Sequence, residues 1–311
     1  METPAAALLA LEGVSRRLAG RPVVTGLDLA VAQGEVLGLL GINGAGKTTT
    51  LRMMAGELRP SAGVIRIDGT DLAEEPGHAR RRIGYLPETP PLYPELTVSE
   101  FLGFCARLHG VSRRARAGAV DAAIATCNLG DVARRVIGTL SRGYRQRVGL
   151  AQAIVHQPDV IVLDEPATGL DPAQSAGLRD IVRTLGKRHA VVLSSHVLAD
   201  VAACCDRVAI LHEGTLRYTG APTHPGGEAC CMLRVGPARR REDWLALDGV
   251  AAAAPVDART WRITLTPPAT AETLATAAVA HGFGLAELRP AETSLETFCL
   301  ELTGAARERA A

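Results

Sequence analysis

The stretch that most constrains the fold is VLGLLGINGAGKTTTL, at residues 36–51. A short apolar run, Val36 to Leu40, leads into a glycine-rich loop that ends in a lysine and a threonine. Backbone N–H groups of such a loop, together with the N-terminus of a following helix, surround phosphate groups, while the lysine reaches the β- and γ-phosphates. We therefore predict a strand–loop–helix unit and a nucleoside triphosphate site formed by Gly41, Asn43, Gly44, Ala45, Gly46, Lys47, Thr48 and Thr49.

Two further apolar runs end in polar side chains suited to the same site. In PDVIVLDEP, Val160–Leu163 reads as a buried parallel strand followed by Asp164 and Glu165. Asp164 and the Thr48 hydroxyl are suited to holding Mg²⁺, and Glu165 to deprotonating a water that attacks the γ-phosphate. His196 follows the third run and can hydrogen-bond the γ-phosphate. These residue types predict a nucleoside triphosphatase.

The segment TLSRGYRQRVGLAQAI, at residues 139–154, has two interpretations. Ser141 is placed as an N-cap, and the spacing of Val148, Leu150 and Ile154 suits the buried face of an ordinary helix. Alternatively, the serine and Gly143 serve a group that docks against the start of that helix. The residues of this segment alone leave both interpretations open.

The order of these motifs resembles that of ATP-binding-cassette (ABC) proteins over about residues 8–222. LSRGY is similar to the family's signature motif and Gly169-Leu170-Asp171-Pro172 to its D-loop, with His196 as the switch histidine. The resemblance implies an α/β P-loop cassette, with a RecA-like core and antiparallel β and helical subdomains. It also implies two copies arranged head to tail around ATP, so that Ser141 and Gly143 serve the nucleotide of the other copy, and it places Asp171 among the nucleotide-binding residues.

Four positions depart from the family's pattern, and two of them matter most. Leu18 stands where an aromatic residue usually stacks on adenine, which would replace stacking by apolar contact. Glu88 stands where a glutamine is usual, and its carboxylate can still coordinate Mg²⁺. Within the signature segment, Arg142 stands where glycine is more usual, and Tyr144 also replaces the more usual residue. None of these changes removes the signature hydroxyl.

Residues 93–150 correspond by this resemblance to the helical subdomain. LTVSEFLGFCARLHG predicts a helix starting near Thr97, with Phe101, Leu102, Cys105 and Leu108 on one face. In the family this subdomain forms a groove that receives a coupling helix from a membrane subunit, and we expect the same here.

A Pro/Gly-rich linker, APTHPGGE, separates this cassette from residues 223–311. The pattern there predicts strand, helix, two strands, helix and strand, which suggests a small α+β ferredoxin-like domain followed by a helix at residues 294–304. The predicted elements are Cys230–Val235, Glu242–Asp248, Val250–Pro255, Thr260–Leu265, Ala271–His281 and Gly284–Leu288. The tail resembles those of exporter ATPases, which implies a role in dimerisation or regulation.

The composition of the chain limits which partners and which cellular compartment we expect for it. The formal net charge is +1, so the overall charge balance does not point to a nucleic-acid partner. The sequence contains no run of eighteen apolar residues, so it predicts no membrane-spanning helix. The N-terminus lacks the pattern of a signal peptide, and seven cysteines without a C-x-x-C pair predict reduced thiols in the cytoplasm.

The leading functional hypothesis is an ATPase subunit that powers a separate membrane permease of the ABC-2 exporter type. It would lie peripherally on the cytoplasmic face of the membrane. Two alternatives remain: a soluble cassette ATPase acting on nucleic acid or ribosomes, and a nucleotide-binding module that regulates without turnover. Glu165 disfavours the last, because degenerate sites commonly lose that residue.

Overall fold

A computed structural model describes residues 7–222, 229–236, 239–266 and 268–290. The chain divides into two compact units, residues 1–219 and 220–311. The strands of the first unit are β1 (Ala7–Leu18), β2 (Arg21–Ala32), β3 (Val36–Leu40), β4 (Ala62–Ile67), β5 (Thr70–Asp71), β6 (Ile83–Leu86), β7 (Val160–Leu163), β8 (Ala190–Ser194), β9 (Arg207–His212) and β10 (Thr215–Gly220). Its helices are α1 (Lys47–Met54), α2 (Pro76–Arg81), α3 (Val98–Leu108), α4 (Arg116–Thr126), α5 (Arg142–Ile154), α6 (Pro172–Gly186) and α7 (Leu198–Cys204).

The central sheet of the first unit is six-stranded, in the order β10-β9-β3-β8-β7-β6. β3 pairs in parallel with β8 and β9, and β7 pairs in parallel with β6 and β8. Every residue of β3, β7 and β8 is buried, which explains their continuous apolar runs, because a parallel sheet is covered on both faces. The carboxyl ends of β3, β7 and β8 therefore meet at one edge, where a ligand site is expected.

A second sheet of the first unit contains β2-β1-β4-β5 in that order, and its paired strands run antiparallel. Its inward side chains, such as Leu9 and Leu27, belong to the same apolar core as Leu39 and Val162 of the central sheet. The two sheets therefore share one core, as the predicted cassette with an antiparallel β subdomain requires.

The helical segment between β6 and β7 begins where the sequence predicts. The Thr97 hydroxyl accepts a hydrogen bond from the Glu100 amide, and the Glu100 carboxylate accepts one from the Thr97 amide, so that α3 starts with a capping box. Phe101 and Cys105 on this face are buried, whereas Leu108 is 69% exposed. Helical spacing sets its direction, but Leu108 is the last residue of α3, where its side chain lies largely in solvent.

The turn between β9 and β10 consists of Glu213 and Gly214, which both have positive φ, at +49° and +74°. Positive φ at both central residues is what a tight two-residue hairpin turn requires. In the segment VAILHEGTLRYTG, the pair Glu213-Gly214 predicts a hairpin turn, and the structure confirms it.

The second unit contains β11 (Ala229–Val235), α8 (Arg241–Leu245), β12 (Val250–Pro255), β13 (Thr260–Leu265), α9 (Ala271–Ala280) and β14 (Leu285–Pro290). Its sheet has the order β12-β13-β11-β14, with antiparallel neighbours. β13 lies between the two strands of the first β-α-β unit and β11 between those of the second, which is the ferredoxin-like arrangement of split β-α-β units. Trp244, Trp261 and Phe283 lie in its core.

The differences in the second unit concern boundaries: the first helix is shorter than predicted, and the last strand ends two residues later. The predicted helix at residues 294–304 lies outside the described residues. Within the described part of the chain, no helix is long and apolar enough to span a membrane. The six cysteines of that part are free thiols, and five of them are buried.

Candidate nucleotide-binding site

The glycine-rich loop connects β3 to α1 at the carboxyl edge of the central sheet. Gly46 precedes α1 with φ +101°, and a Cβ at this position would lie 2.8 Å from the Val23 carbonyl oxygen. A side chain would therefore be strained by both conformation and space, so the loop requires glycine here. Lys47 then opens the helix, as the phosphate-binding motif requires.

The Lys47 side chain lies back against its own loop. It is only 7% exposed, and its Nζ donates hydrogen bonds to the carbonyl oxygens of Gly41 at 2.7 Å and Ile42 at 3.4 Å. The ammonium group is thus held inside the curve of the loop. A cation in this position is suited to contacting phosphate oxygens.

Asp164 follows β7 and is almost fully buried, at 2% exposure. Its Oδ1 accepts hydrogen bonds from the Ser194 hydroxyl at 2.8 Å and from the Thr48 hydroxyl at 3.4 Å. Burial, aided by the Asp164 charge, raises the pKa of the neighbouring Tyr85 phenol, which therefore remains neutral. The carboxylate and the threonine hydroxyl that the sequence predicts as metal ligands are thus neighbours.

These two oxygen ligands fit Mg²⁺. Among the described residues no group of three or more His, Cys, Asp or Glu side chains could form an all-protein metal site. That arrangement suits Mg²⁺, which is usually bound by one or two protein oxygens, several waters and the phosphates of the substrate.

Glu165 has an unusual backbone conformation, with φ +47° in a residue other than glycine. Its amide donates to the Ser194 hydroxyl at 2.8 Å, and its Oε2 contacts His196 Nδ1 at 2.7 Å and accepts from the Thr168 hydroxyl at 3.1 Å. Strain of this kind persists where surrounding contacts determine the conformation, and it is enriched at active sites. The carboxylate is thereby fixed in direction.

A cleft of about 560 Å³ brings most of the predicted residues together. It is lined by Val23, Asn43, Gly44, Gly46, Lys47, Thr48, Thr49, Glu88, Glu165, Thr168 and His196. Leu18 does not line this cleft: it ends β1 and is 40% exposed. Val23, in β2, lines the cleft instead.

The signature residues lie outside the cleft of their own chain. Ser141 occupies the N-cap position of α5, but its side chain makes no capping hydrogen bond, which leaves the hydroxyl available to another group. A Cβ on Gly143 would lie 2.3 Å from the Gln174 side-chain oxygen, so glycine permits the start of α5 to approach α6. Asp171 caps α6, with its Oδ1 accepting from the Gln174 amide at 2.8 Å.

Sequence reasoning missed three residues of the site. Val23 carries no motif signal. Thr168 lies three residues after Glu165, and Ser194 stands at the end of β8, directly beside β7 in the sheet. The position of Ser194 could have been found by noting that neighbouring parallel strands bring their final residues together.

The loop after β3, the two carboxylates after β7 and the histidine after β8 define the chain as a P-loop nucleotide-binding protein. Residues 24–168 match the sequence profile of the family described as ABC transporter. The chain is 39% identical over 221 residues to the ABC transporter ATP-binding protein NatA of Bacillus subtilis, an alignment covering 69% of this chain and 89% of that protein. The chain belongs to the family of ABC transporter ATP-binding proteins.

Other relatives are named for export or transport. The Nod factor export ATP-binding protein I of Burkholderia orbicola is 39% identical over 67% of this chain and 69% of its own. The bacitracin transport ATP-binding protein BcrA of Bacillus licheniformis is 37% identical over 61% of this chain and 62% of its own.

A solved structure described as cbiO1 from Clostridium perfringens, part of the ABC transporter complex cbiONQ, superposes with a TM-score of 0.63. It is 26% identical, and the match covers 70% of this chain and 89% of that chain. The predicted family and cassette fold are thus confirmed.

Proposed function

We propose that this chain binds ATP with Mg²⁺, hydrolyses it and thereby powers a separate membrane permease. The observation that carries the hydrolytic part is Glu165, whose carboxylate lines the phosphate-loop cleft and is oriented there by His196 and Thr168. A binding module without turnover would not need a carboxylate fixed in this way. The named transport relatives favour the permease hypothesis over action on nucleic acid or ribosomes.

The residues divide the chemistry between them. The loop amides and Lys47 would bind the β- and γ-phosphates, and Thr48 and Asp164 would hold Mg²⁺, which neutralises charge on the phosphates. Glu88, which lines the same cleft, can add a further oxygen ligand. Val23, which lines the cleft where Leu18 does not, would offer the apolar contact to the adenine.

Glu165 would act as the general base. Its carboxylate takes a proton from a water as that water attacks the γ-phosphorus, while the bond to the β–γ bridging oxygen breaks and ADP leaves. His196 orients the carboxylate and would hydrogen-bond the γ-phosphate. The phosphate-binding loop stabilises the negative charge that spreads over the γ-phosphate oxygens.

A second copy of this chain would complete the site. Ser141 and Gly143 line no part of their own cleft, and the Ser141 hydroxyl makes no bond to its own helix. In a head-to-tail pair the start of α5 would meet the γ-phosphate held by the other copy, where N–H groups favour negative charge. Asp171, at the start of α6, would lie at the same interface.

The permease would contact the helical segment. Tyr93 is 46% exposed and packs edge-on against the buried ring of Phe101 and the half-buried ring of Phe104, so the exposed aromatic surface before α3 consists of Tyr93 supported by that helix. This surface suits a coupling helix from a membrane subunit of the ABC-2 type, and it would hold the chain peripherally on the cytoplasmic face. We assign the second unit, residues 220–311, to dimerisation or regulation.

The experiment that tests hydrolysis and pairing uses Glu165→Gln. In the presence of ATP and Mg²⁺ this variant is expected to lose hydrolysis and to form a stable dimer, measured by phosphate release and by light scattering on a sizing column. The matched control, Glu165→Gln combined with Ser141→Ala, should bind ATP but dimerise much less. Near-normal turnover by Glu165→Gln would show that another group is the base.

The permease is tested separately. The tagged full chain, recovered from gently solubilised membranes of its native host, should carry a multi-span membrane protein in stoichiometric amount. Recovery of ribosomal components in its place would favour the alternative function while leaving the site chemistry unchanged.

A further inference from the structure

Arg142 connects the signature helix to the loop that follows the catalytic carboxylate. Its Nη2 donates a hydrogen bond to the Thr168 carbonyl oxygen at 2.9 Å, across 26 residues of sequence. Its guanidinium lies directly against Gly169, where a Cβ would be only 2.5 Å from the guanidinium carbon. Because Gly169 lacks a side chain and has φ +73°, the loop can pass this close to the arginine.

The contact continues from Thr168 to the catalytic base. The Thr168 hydroxyl donates to Glu165 Oε2 at 3.1 Å, the same oxygen that His196 contacts at 2.7 Å. The start of α5 is therefore connected to the Glu165 carboxylate through Thr168. Arg142 bonds to the Thr168 carbonyl oxygen, and the Thr168 hydroxyl bonds to Glu165. Glycine in place of Arg142, which is more usual in the signature motif, could not make the first of these contacts.

We propose that Arg142 is a positioning residue, which acts through Thr168 to set the Glu165 carboxylate of its own chain. The proposal rests on the head-to-tail dimer proposed above. In that dimer the signature helix serves the ATP of one site, whereas the Glu165 of the same chain serves the other. Engagement of one γ-phosphate would then reach the base at the second site, which couples the two hydrolysis events.

A guanidinium group suits this task for two reasons. Its acceptor is a backbone carbonyl, which no substitution of Thr168 removes, so the two links of the path can be broken independently. A hydrogen bond from a charged donor is also stronger than a neutral one, so a shift of the helix start would move the loop with it. A lysine at position 142 would keep the charge but lose the planar shape of the group.

The test compares ATP hydrolysis against ATP concentration for the purified full chain and four variants. Wild type is expected to show a Hill coefficient above 1. Arg142→Met and Thr168→Val should each bring that coefficient to about 1 and lower kcat about tenfold, since each breaks one hydrogen bond to the path. Arg142→Lys should restore part of the cooperativity.

The matched control is Arg145→Met, which removes the same charge from the same helix. The Arg145 side chain is exposed and makes no hydrogen bond or ion pair with any residue that the structure describes. The Hill coefficient and kcat of Arg145→Met should equal those of wild type. Thermal midpoints and the ATP affinity of the monomer should be unchanged in all four variants, which separates positioning from loss of structure.

A double-mutant cycle makes the path itself testable. If Arg142 acts through Thr168, the double variant Arg142→Met with Thr168→Val should lose no more kcat than either single variant. Additive losses, a wild-type Hill coefficient of 1, or wild-type cooperativity in Arg142→Met would each overturn the proposal. Failure of the proposed dimer is recognised separately, because Glu165→Gln would then remain monomeric with ATP.

Discussion

Two stacked histidines predict a pH dependence of stability in the first unit. His109, after α3, and His156, after α5, stack with ring centroids 3.8 Å apart and planes at 9°. His156 Nε2 donates to the Ile83 carbonyl oxygen at 3.0 Å, whereas its buried Nδ1 has no partner among the described residues. Burial, with His109 as a second cause, lowers the pKa of His156 from 6.5 to about 4. Burial also lowers the pKa of His109.

The direction of the effect follows from proton binding. Between pH 6.5 and pH 4 the unfolded chain protonates His156, while the folded chain does not. Acidification therefore favours unfolding across this window, and stability is fully present only above it. From the two pKa values, lowering the pH from 7 to 5 should remove about 2 kcal/mol of the free energy of unfolding through His156 alone.

The perturbation is His156→Gln, which does not titrate and keeps a side-chain N–H donor for the Ile83 carbonyl. Urea unfolding at pH 7 and pH 5, followed by circular dichroism, should show a pH-dependent loss that is about 2 kcal/mol smaller in the variant than in wild type. Tryptophan fluorescence supplies an internal control, because both tryptophans of the chain, Trp244 and Trp261, lie in the second unit.

That fluorescence transition should depend on pH identically in wild type and variant. His109→Phe, which keeps an aromatic ring in the stack, should give a partial reduction, because it removes one cause of the lowered His156 pKa. Equal pH dependence of the circular dichroism transition in wild type and His156→Gln would refute the reasoning.

Two further predictions concern the nucleotide. Lys47→Ala should weaken ATP binding to the monomer at least tenfold, measured by calorimetry, because it removes the charge held within the phosphate loop; unchanged affinity would show that the amides alone provide the binding. Ser141→Ala should lower turnover at saturating ATP about tenfold or more while leaving monomer affinity within twofold, since its contact exists only in the dimer. A parallel loss of affinity would place Ser141 in its own chain's site.

The sequence predicts the strand-borne half of the site well. β3 and β7 have the predicted boundaries, because a phosphate-binding loop and a pair of carboxylates each follow an apolar run whose length fits a buried strand. Parallel pairing then brings those ends together without further information. Local chemistry also predicts the start of α3 near Thr97 and the turn at Glu213 and Gly214.

Long-range contacts could not be predicted in this way. The bond from Arg142 to Thr168 and the stacking of His109 on His156 join residues whose spacing carries no periodic signal. Leu108 fits the apolar spacing of α3 but lies at its end, where the side chain is exposed. In each case the outcome depends on what lies opposite in space, which periodicity does not encode.

The two halves of the site differ in what holds them. Glu165 keeps a strained backbone because Ser194, His196 and Thr168 together fix its amide and carboxylate. Ser194 ends β8 and His196 lies two residues after it, so the sheet itself places both residues beside Glu165. The start of α5 has no such complement, since Ser141 leaves its hydroxyl unused by its own helix. A chain that fixes its own Glu165 carboxylate but leaves its Ser141 hydroxyl unused is expected to have its active site completed by another copy. Arg142 is the contact that makes the two halves respond together.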